Sequence, residues 1–226
     1  MNVSGRVGFR IVTDLPRVAP EVVDGFRGRA SSNVADAQGR FRFMDPGMLS
    51  RTGLALCGPA VTVNARPGDN LMVHKALEVA EAGDVVVVCT NGNTTSAIFG
   101  ELMGHTAVAA GIGGMVVDGA VRDVDGLRAL GLPVFARSVT PGGCDKDGPG
   151  EINVPIACGG VPVQPGDLVL GDGDGVVVVP RLDAPAVLEA VARLEAREAQ
   201  RIQAIEGGEW FKAVIDETLR RRGVLE

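Results

Sequence analysis

The sequence predicts a single-domain α/β protein, with a core of about residues 15–182 and a helical tail over 183–226. Three observations carry this. An unbroken apolar run from Asp84 to Thr90 is bounded by turn residues, strand and helix patterns alternate from there to Val139, and beyond Thr140 the texture changes to short strands divided by Gly and Pro. A strand covered on both faces reads as a continuous apolar run, and its alternation with helices argues for a parallel or mixed sheet. The short strands fit a β-rich second layer of the same domain better than another strand–helix unit.

The elements follow in order. Helical spacing of Val22, Val23 and Phe26 begins a helix near Pro20, and a second follows with Ser31 or Ser32 as its cap. Residues 39–51 read as irregular. Leu54 to Asn64 alternates as a strand broken at Gly58-Pro59, and Pro67-Gly68 turns it into a helix capped by Asp69 and ended by Gly83. After the buried run, Asn91-Gly92-Asn93-Thr94-Thr95 reads as a loop and a helix spans about Phe99 to Ala110. A short strand Met115–Asp118, a helix from about Asp123 and a strand Pro133–Val139 come next. Four short strands follow, at 152–156, 161–163, 167–170 and 176–179. The tail carries Leu188, Val191, Ala192, Leu194, Ile202 and Ile205 as an apolar stripe, then a terminal helix from about Glu209 to Arg222.

Composition narrows the function. With 46% apolar and 22% charged residues in 226, the chain can bury a full core. A net charge of −6, with Lys75, Lys146 and Lys212 the sole lysines, argues against a nucleic-acid surface, which needs a field of cations. Residues 1–10 lack the apolar stretch of a secretory signal, and the valine runs at 85–88 and 176–179 are far shorter than the ~20 residues that cross a bilayer. A cytoplasmic protein without membrane partners is expected. Cys57, Cys89, Cys144 and Cys158 show no Cys-x-x-Cys spacing and read as reduced thiols.

One spacing carries chemistry. Gly100-Glu101-Leu102-Met103 opens a predicted helix, and after twenty intervening residues Arg122-Asp123 follows a buried strand. In α/β units ligands bind beyond the carboxyl ends of strands, where a helix N-terminus offers free amides to anions. An anionic substrate and a metal are the natural occupants. Taken alone, Arg122-Asp123 also suits a surface ion pair or a helix cap.

The run GELMGHTAVAAGIGGMVVDGAVRDVDGLRALGLPVFAR, the flanking GPAVTV, the helix after PGDN and the later VPIACGGVPVQPGDLVLGDGDGVVVVP together resemble the RraA-like proteins, over about residues 15–206. Within them the likeness is greatest to the class II 4-hydroxy-4-methyl-2-oxoglutarate / 4-carboxy-4-hydroxy-2-oxoadipate aldolases. The resemblance implies a layered α-β-β-α sandwich of the swivelling-domain-like type, assembled as a homotrimer or homohexamer with sites at subunit interfaces. It implies that the Gly100–Met103 backbone and Arg122 hold a small keto acid, that Asp123 anchors Mg²⁺ or Mn²⁺, and that the first acidic residue positions a water. That residue is Asp in the aldolase pattern and Glu101 here. The family also uses a glutamate of the C-terminal helix lent by an adjacent subunit, for which Glu198 is the best match among Glu189, Glu195, Glu198 and Glu206.

This chemistry suits these residues. Cleaving a 2-oxo-4-hydroxy acid leaves pyruvate enolate, whose stabilisation is the main catalytic demand; Arg122 offers a planar fork, and Glu101 a proton acceptor, directly or through a water. Oxaloacetate decarboxylation passes through the same enolate. The alternative from another class is a non-catalytic RraA-type regulator that binds ribonuclease E; that branch is typically shorter and lacks the helical tail.

Rival signals have plainer readings. Gly171-Asp172-Gly173-Asp174-Gly175 reads as a hairpin turn, and Gly111–Gly114 precedes a strand where a dinucleotide loop would follow one. His74 and His105 read as packed or half-exposed histidines. The polar loop with Gly142, Gly143, Asp145 and Asp147 reads as surface, and Lys75 is the candidate for a Schiff base.

Overall fold

A computed structural model describes residues 2–226. In chain order the elements are β1 (Val3–Arg6), β2 (Phe9–Val12), α1 (Pro20–Phe26), α2 (Ser31–Ala37), β3 (Leu49–Ser50), β4 (Leu56–Ala65), α3 (Leu71–Val79), β5 (Val85–Phe99), α4 (Glu101–Ala109) and β6 (Gly114–Val121). Then come α5 (Val124–Ala129), β7 (Val134–Val139), β8 (Gly150–Ile152), β9 (Ile156–Cys158), β10 (Val161–Val163), β11 (Leu168–Asp172), β12 (Gly175–Val179), α6 (Ala184–Glu206) and α7 (Ala213–Arg221).

The valine runs explain the layers. In β5, Val86 and Val88 enter a core with Met72, Val73 and Leu77 of α3, Met103 of α4 and Leu127 of α5. Val85, Val87 and Cys89 point the other way, into a second core shared with β9 to β12. In β12, Val176 and Val178 join that second core, while Val177 and Val179 face a third with Phe26 of α1, Val34 of α2 and Val187 and Val191 of α6. Because side chains alternate across a strand, each run supplies two cores at once. The result is helices, sheet, sheet, helices, the expected α-β-β-α sandwich.

The main sheet runs β1-β2-β8-β4-β5-β6-β7-β3, and its β4-β5-β6-β7 centre is parallel. The Gly173 turn joins β11 and β12 as an antiparallel hairpin, with Asp172 opposite Gly175.

Several expectations are corrected. Gly58-Pro59 does not break β4: Pro59 pairs with Leu168 on one side, while pairing with β5 begins at Ala60, so the missing N–H falls where no ladder needs it. Residues 91–95 are not a loop. They continue β5 beside β6 through three register shifts, with Asn91 and Gly92 at positive φ. β6 extends beyond Asp118 to Val121. Ser31 lies inside α2 rather than capping it, and Asp172 Oδ2, at the end of the adjoining β11, accepts its amide at 2.7 Å. The N-terminal hairpin β1–β2 and the short β3 fall where no strand was predicted.

Candidate active site

β5 and β6 end side by side, with Phe99 opposite Val121, so the chain leaves both strands at one edge and enters α4 and α5 there. This brings together residues more than twenty positions apart. The Arg122 amide donates to the Phe99 carbonyl at 2.9 Å, which fixes the turn. Asp123 then takes φ 55° and ψ 40°, left-handed backbone that Asp tolerates better than most residues, at a cost on the order of 1–3 kcal/mol. It stands at the N-cap of α5, yet its carboxylate caps nothing there. Asp123 Oδ2 instead accepts the amide of Glu101 at 3.2 Å and lies 3.4 Å from Arg122 Nε. Both side chains remain 45% exposed, unlike a sealed structural pair.

Gly100 allows this approach. A Cβ there would stand 2.6 Å from Asp123 Oδ2 and 2.9 Å from Arg122 Cγ. The amides of Leu102 and Met103 lie in the first turn of α4, where no helical carbonyl is available to them. Met103 is buried, whereas Leu102 is 82% exposed at the rim.

These groups line a cavity of about 240 Å³, closed on its other sides by Asn70 and His74 of the α3 entry and by Gly143, Cys144 and Lys146. A larger open groove of about 930 Å³ lies between the α2–β3 connection and α6, away from the Arg122–Asp123 pair. The smaller cavity suits a short acid.

The loop over residues 140–149 is therefore not plain surface. Asp69, 1% exposed, gathers it: its Oδ2 accepts the amides of Asp147 at 2.8 Å and Gly148 at 2.9 Å, and its Oδ1 accepts Leu71 N at 2.9 Å. Burial alone would raise the Asp69 carboxyl, but these three amides and Arg66 outweigh it and hold it below the usual carboxylate range. The loop is further stitched by Ala97 N to Gly142 O at 2.8 Å and Asn70 N to Asp145 O at 3.0 Å.

Charges around the cavity favour an anion. Burial, with the Lys146 ammonium, pushes His74 below its ordinary value of 6.5 and keeps it neutral at pH 7. Burial pushes the Cys144 thiol up despite Lys146 and Arg122, so a thiolate nucleophile is disfavoured at neutral pH. The Lys75 ammonium is bonded to Glu78 on the α3 surface, outside the cavity, and lacks the desolvated setting a Schiff-base lysine needs.

Two predicted site residues lie outside the cavity. The Glu101 carboxylate packs over α5, where a Cβ on Gly126 would collide with it, and it does not line the cavity. Glu198, on α6, accepts Asn33 Nδ2 of α2 at 2.8 Å. Among the described residues no three His, Cys, Asp or Glu side chains gather to hold a metal. A hard cation that keeps most of its waters needs only one or two carboxylates, and Asp123 offers one, so the donor set fits Mg²⁺ or Mn²⁺ shared with a chelating substrate. Asn70, His74 and Lys146 escape sequence reasoning because they come from other elements. PGDN before α3 and the Gly-rich 142–150 run were the signals available.

The layered α/β sandwich thus brings a guanidinium, a carboxylate and a helix N-terminus together at one small cavity. The chain belongs to the RraA-like family: residues 20–178 match the family described as Aldolase/RraA. It is 47% identical over 148 residues to a Halalkalibacterium halodurans protein provisionally named a 4-hydroxy-4-methyl-2-oxoglutarate aldolase, covering 66% of this chain and 70% of that one. A Thermus thermophilus protein named 4-hydroxy-4-methyl-2-oxoglutarate aldolase is 39% identical over 112 residues, 50% of this chain and 68% of its own. The crystal structure of Streptomyces coelicolor RraAS2, described as an unusual member of the RNase ES inhibitor RraA protein family, superposes with a TM-score of 0.75 at 30% identity, covering 83% of this chain and 98% of that one.

Proposed function

We propose that the protein is a lyase that cleaves a 2-oxo-4-hydroxy acid of the 4-hydroxy-4-methyl-2-oxoglutarate type to pyruvate, and decarboxylates oxaloacetate at the same site. The observation that carries this is the Arg122–Asp123 pair at the mouth of α4, in a cavity sized for a short acid. The names of the aldolase relatives support it.

The keto-acid end sits against the Leu102 and Met103 amides, where the helix dipole favours an anion. Arg122 forks onto the oxygen that becomes the enolate, a charge-assisted contact that contributes on the order of 1.5–3 kcal/mol. A proton leaves the C4 hydroxyl, the C4–O bond becomes a carbonyl, and the C3–C4 bond breaks. Its electron pair passes into the C2–C3 enolate, and a proton returned to C3 completes pyruvate. With oxaloacetate the same bond breaks to release carbon dioxide. Glu101, lying over Gly126, accepts and returns the proton through a water. Asp123 would hold a divalent cation, Mg²⁺ or Mn²⁺, which supplies Lewis-acid stabilisation of the developing negative charge. Glu198 would come from an adjacent subunit of a homotrimer or homohexamer.

The test is an assay of the purified protein with 4-hydroxy-4-methyl-2-oxoglutarate and with oxaloacetate, with and without added Mg²⁺ after EDTA treatment. Pyruvate release that is lost on chelation and restored by the metal is expected. Turnover of neither acid, together with capture of ribonuclease E, would replace the enzyme with a regulator.

A further inference from the structure

Asn70 stands at the N-cap of α3, where an asparagine oxygen ordinarily accepts a first-turn amide. It does not do so here. Asp69 Oδ1 already takes Leu71 N, while Asn70 Nδ2 donates to the Ile98 carbonyl at 3.0 Å and lies 3.3 Å from Met103 Sδ. Those contacts fix the orientation of the amide, because only its NH₂ can donate to a carbonyl. Asn70 Oδ1 is left buried, without a partner among the described residues, in a residue that is 5% exposed and lines the cavity.

Nothing among the described residues donates to it, and the cavity that Asn70 lines is the side from which a bound molecule could. The keto and carboxylate oxygens of the proposed substrate are acceptors, so the C4 hydroxyl is its one donor. Oxaloacetate in its keto form has none. We infer that Asn70 Oδ1 accepts the hydrogen bond of the substrate's C4 hydroxyl and selects 2-oxo-4-hydroxy acids over keto acids that lack it. The inference rests on the aldolase reading and extends it to substrate choice. Asn70 orients the hydroxyl and takes no proton, since an amide oxygen is too weak a base. Sites built to bond a substrate hydroxyl discriminate strongly against analogues without one, because the protein group is then left unpaired.

The experiment compares wild type and Asn70→Ala on 4-hydroxy-4-methyl-2-oxoglutarate and oxaloacetate, with 4-methyl-2-oxoglutarate, the deoxy analogue, as competitive inhibitor. The ratio of kcat/KM for the hydroxy acid to that for oxaloacetate should fall about 10- to 100-fold in the variant. Losses by one common factor on both substrates, or an unchanged ratio, overturn the assignment of Asn70 alone. In wild type, which needs no altered fold, the inhibition constant of the deoxy analogue should exceed the KM of the hydroxy acid at least tenfold, and parity overturns the assignment. A wild type that cleaves no hydroxy acid overturns this inference and the aldolase reading together.

Discussion

Arg122 and Asp123 share a turn, so each constrains what the other can do. The guanidinium sits 3.4 Å from Asp123, and the Arg122 stem lies close enough to Gly100 that a methyl group there would strike Cγ. Removing the fork in Arg122→Ala should lower kcat by about two to three orders of magnitude, as loss of an oxyanion donor does; near-normal turnover would remove Arg122 from the mechanism. Gly100→Ala keeps every charged group yet pushes the pair aside, and misplacement on the scale of 1 Å is expected to cost on the order of 100-fold in kcat/KM with little change in thermal midpoint. The Lys146 charge bears on its neighbour His74. Lys146→Met should move the His74 titration up toward 6.5, since one of the two influences lowering it is gone. Proton NMR can follow this directly, because His105 is the one other imidazole; an unmoved His74 would mean that burial alone sets it. That Arg122 and Asp123 stand beside the start of α4 was legible because each belongs to the end of an element whose pattern is local, whereas the turn of the Glu101 carboxylate onto α5, away from the cavity, was not. Asn70 and His74 were not: a helix start and its first turn look the same whether solvent or a cavity lies in front of them.

At the scale of elements, the extension of β5 to Phe99 builds the site. Had the strand ended at Thr90, α4 would begin before the level of Val121, and Gly100 would not meet Asp123. Polar residues and two positive-φ positions between Asn91 and Ser96 disguise it, since three register shifts break the alternation by which strands are recognised. The facing loop depends on Asp69. Its carboxylate gathers amides from α3 and from Asp147 and Gly148, so Asp69→Asn should destabilise the fold by about 2–4 kcal/mol and loosen the segment carrying Cys144 and Lys146. Because the folded-state carboxyl is held below its ordinary value, this stabilisation is complete above an unfolded pKa of about 3.9 and is lost as pH falls through the lower folded value. Urea midpoints of wild type and variant should therefore differ by a constant amount from pH 7 to about 5 and converge only in stronger acid. Convergence already near neutrality would mean that the Asp69 carboxylate is not the anchor.

The whole molecule divides its apolar residues among three cores; the change of texture after Thr140 made the second β layer readable in the sequence, and the family resemblance supplied the full α-β-β-α order. The tail's use was less legible, because an amphipathic stripe looks the same against its own domain or a neighbour. Only the start of α6 is covered, by Ala184, Val187 and Val191, although 23 residues at ~1.5 Å each make it roughly 35 Å long. Farther on, Ile202 is 55% exposed, Trp210 70% and Phe211 89%, and α7 buries no residue. So much uncovered apolar surface at one end suits association, and under the proposed shared site a second copy of the chain would cover it. Glu198 lies on this same helix, bonded within its own chain to Asn33 rather than to the Arg122 cavity. If neighbours complete each other's sites in a closed ring, Arg122→Ala and Glu198→Ala fail on opposite sides of one interface. Mixing the two inactive variants and allowing subunits to exchange should then restore roughly a quarter of the sites, those that draw an intact Arg122 from one chain and an intact Glu198 from the next. Light scattering should show a multiple of the 23.3 kDa chain before and after mixing. No recovery in demonstrably mixed oligomers would place both residues in a site belonging to one chain, or take Glu198 out of the chemistry.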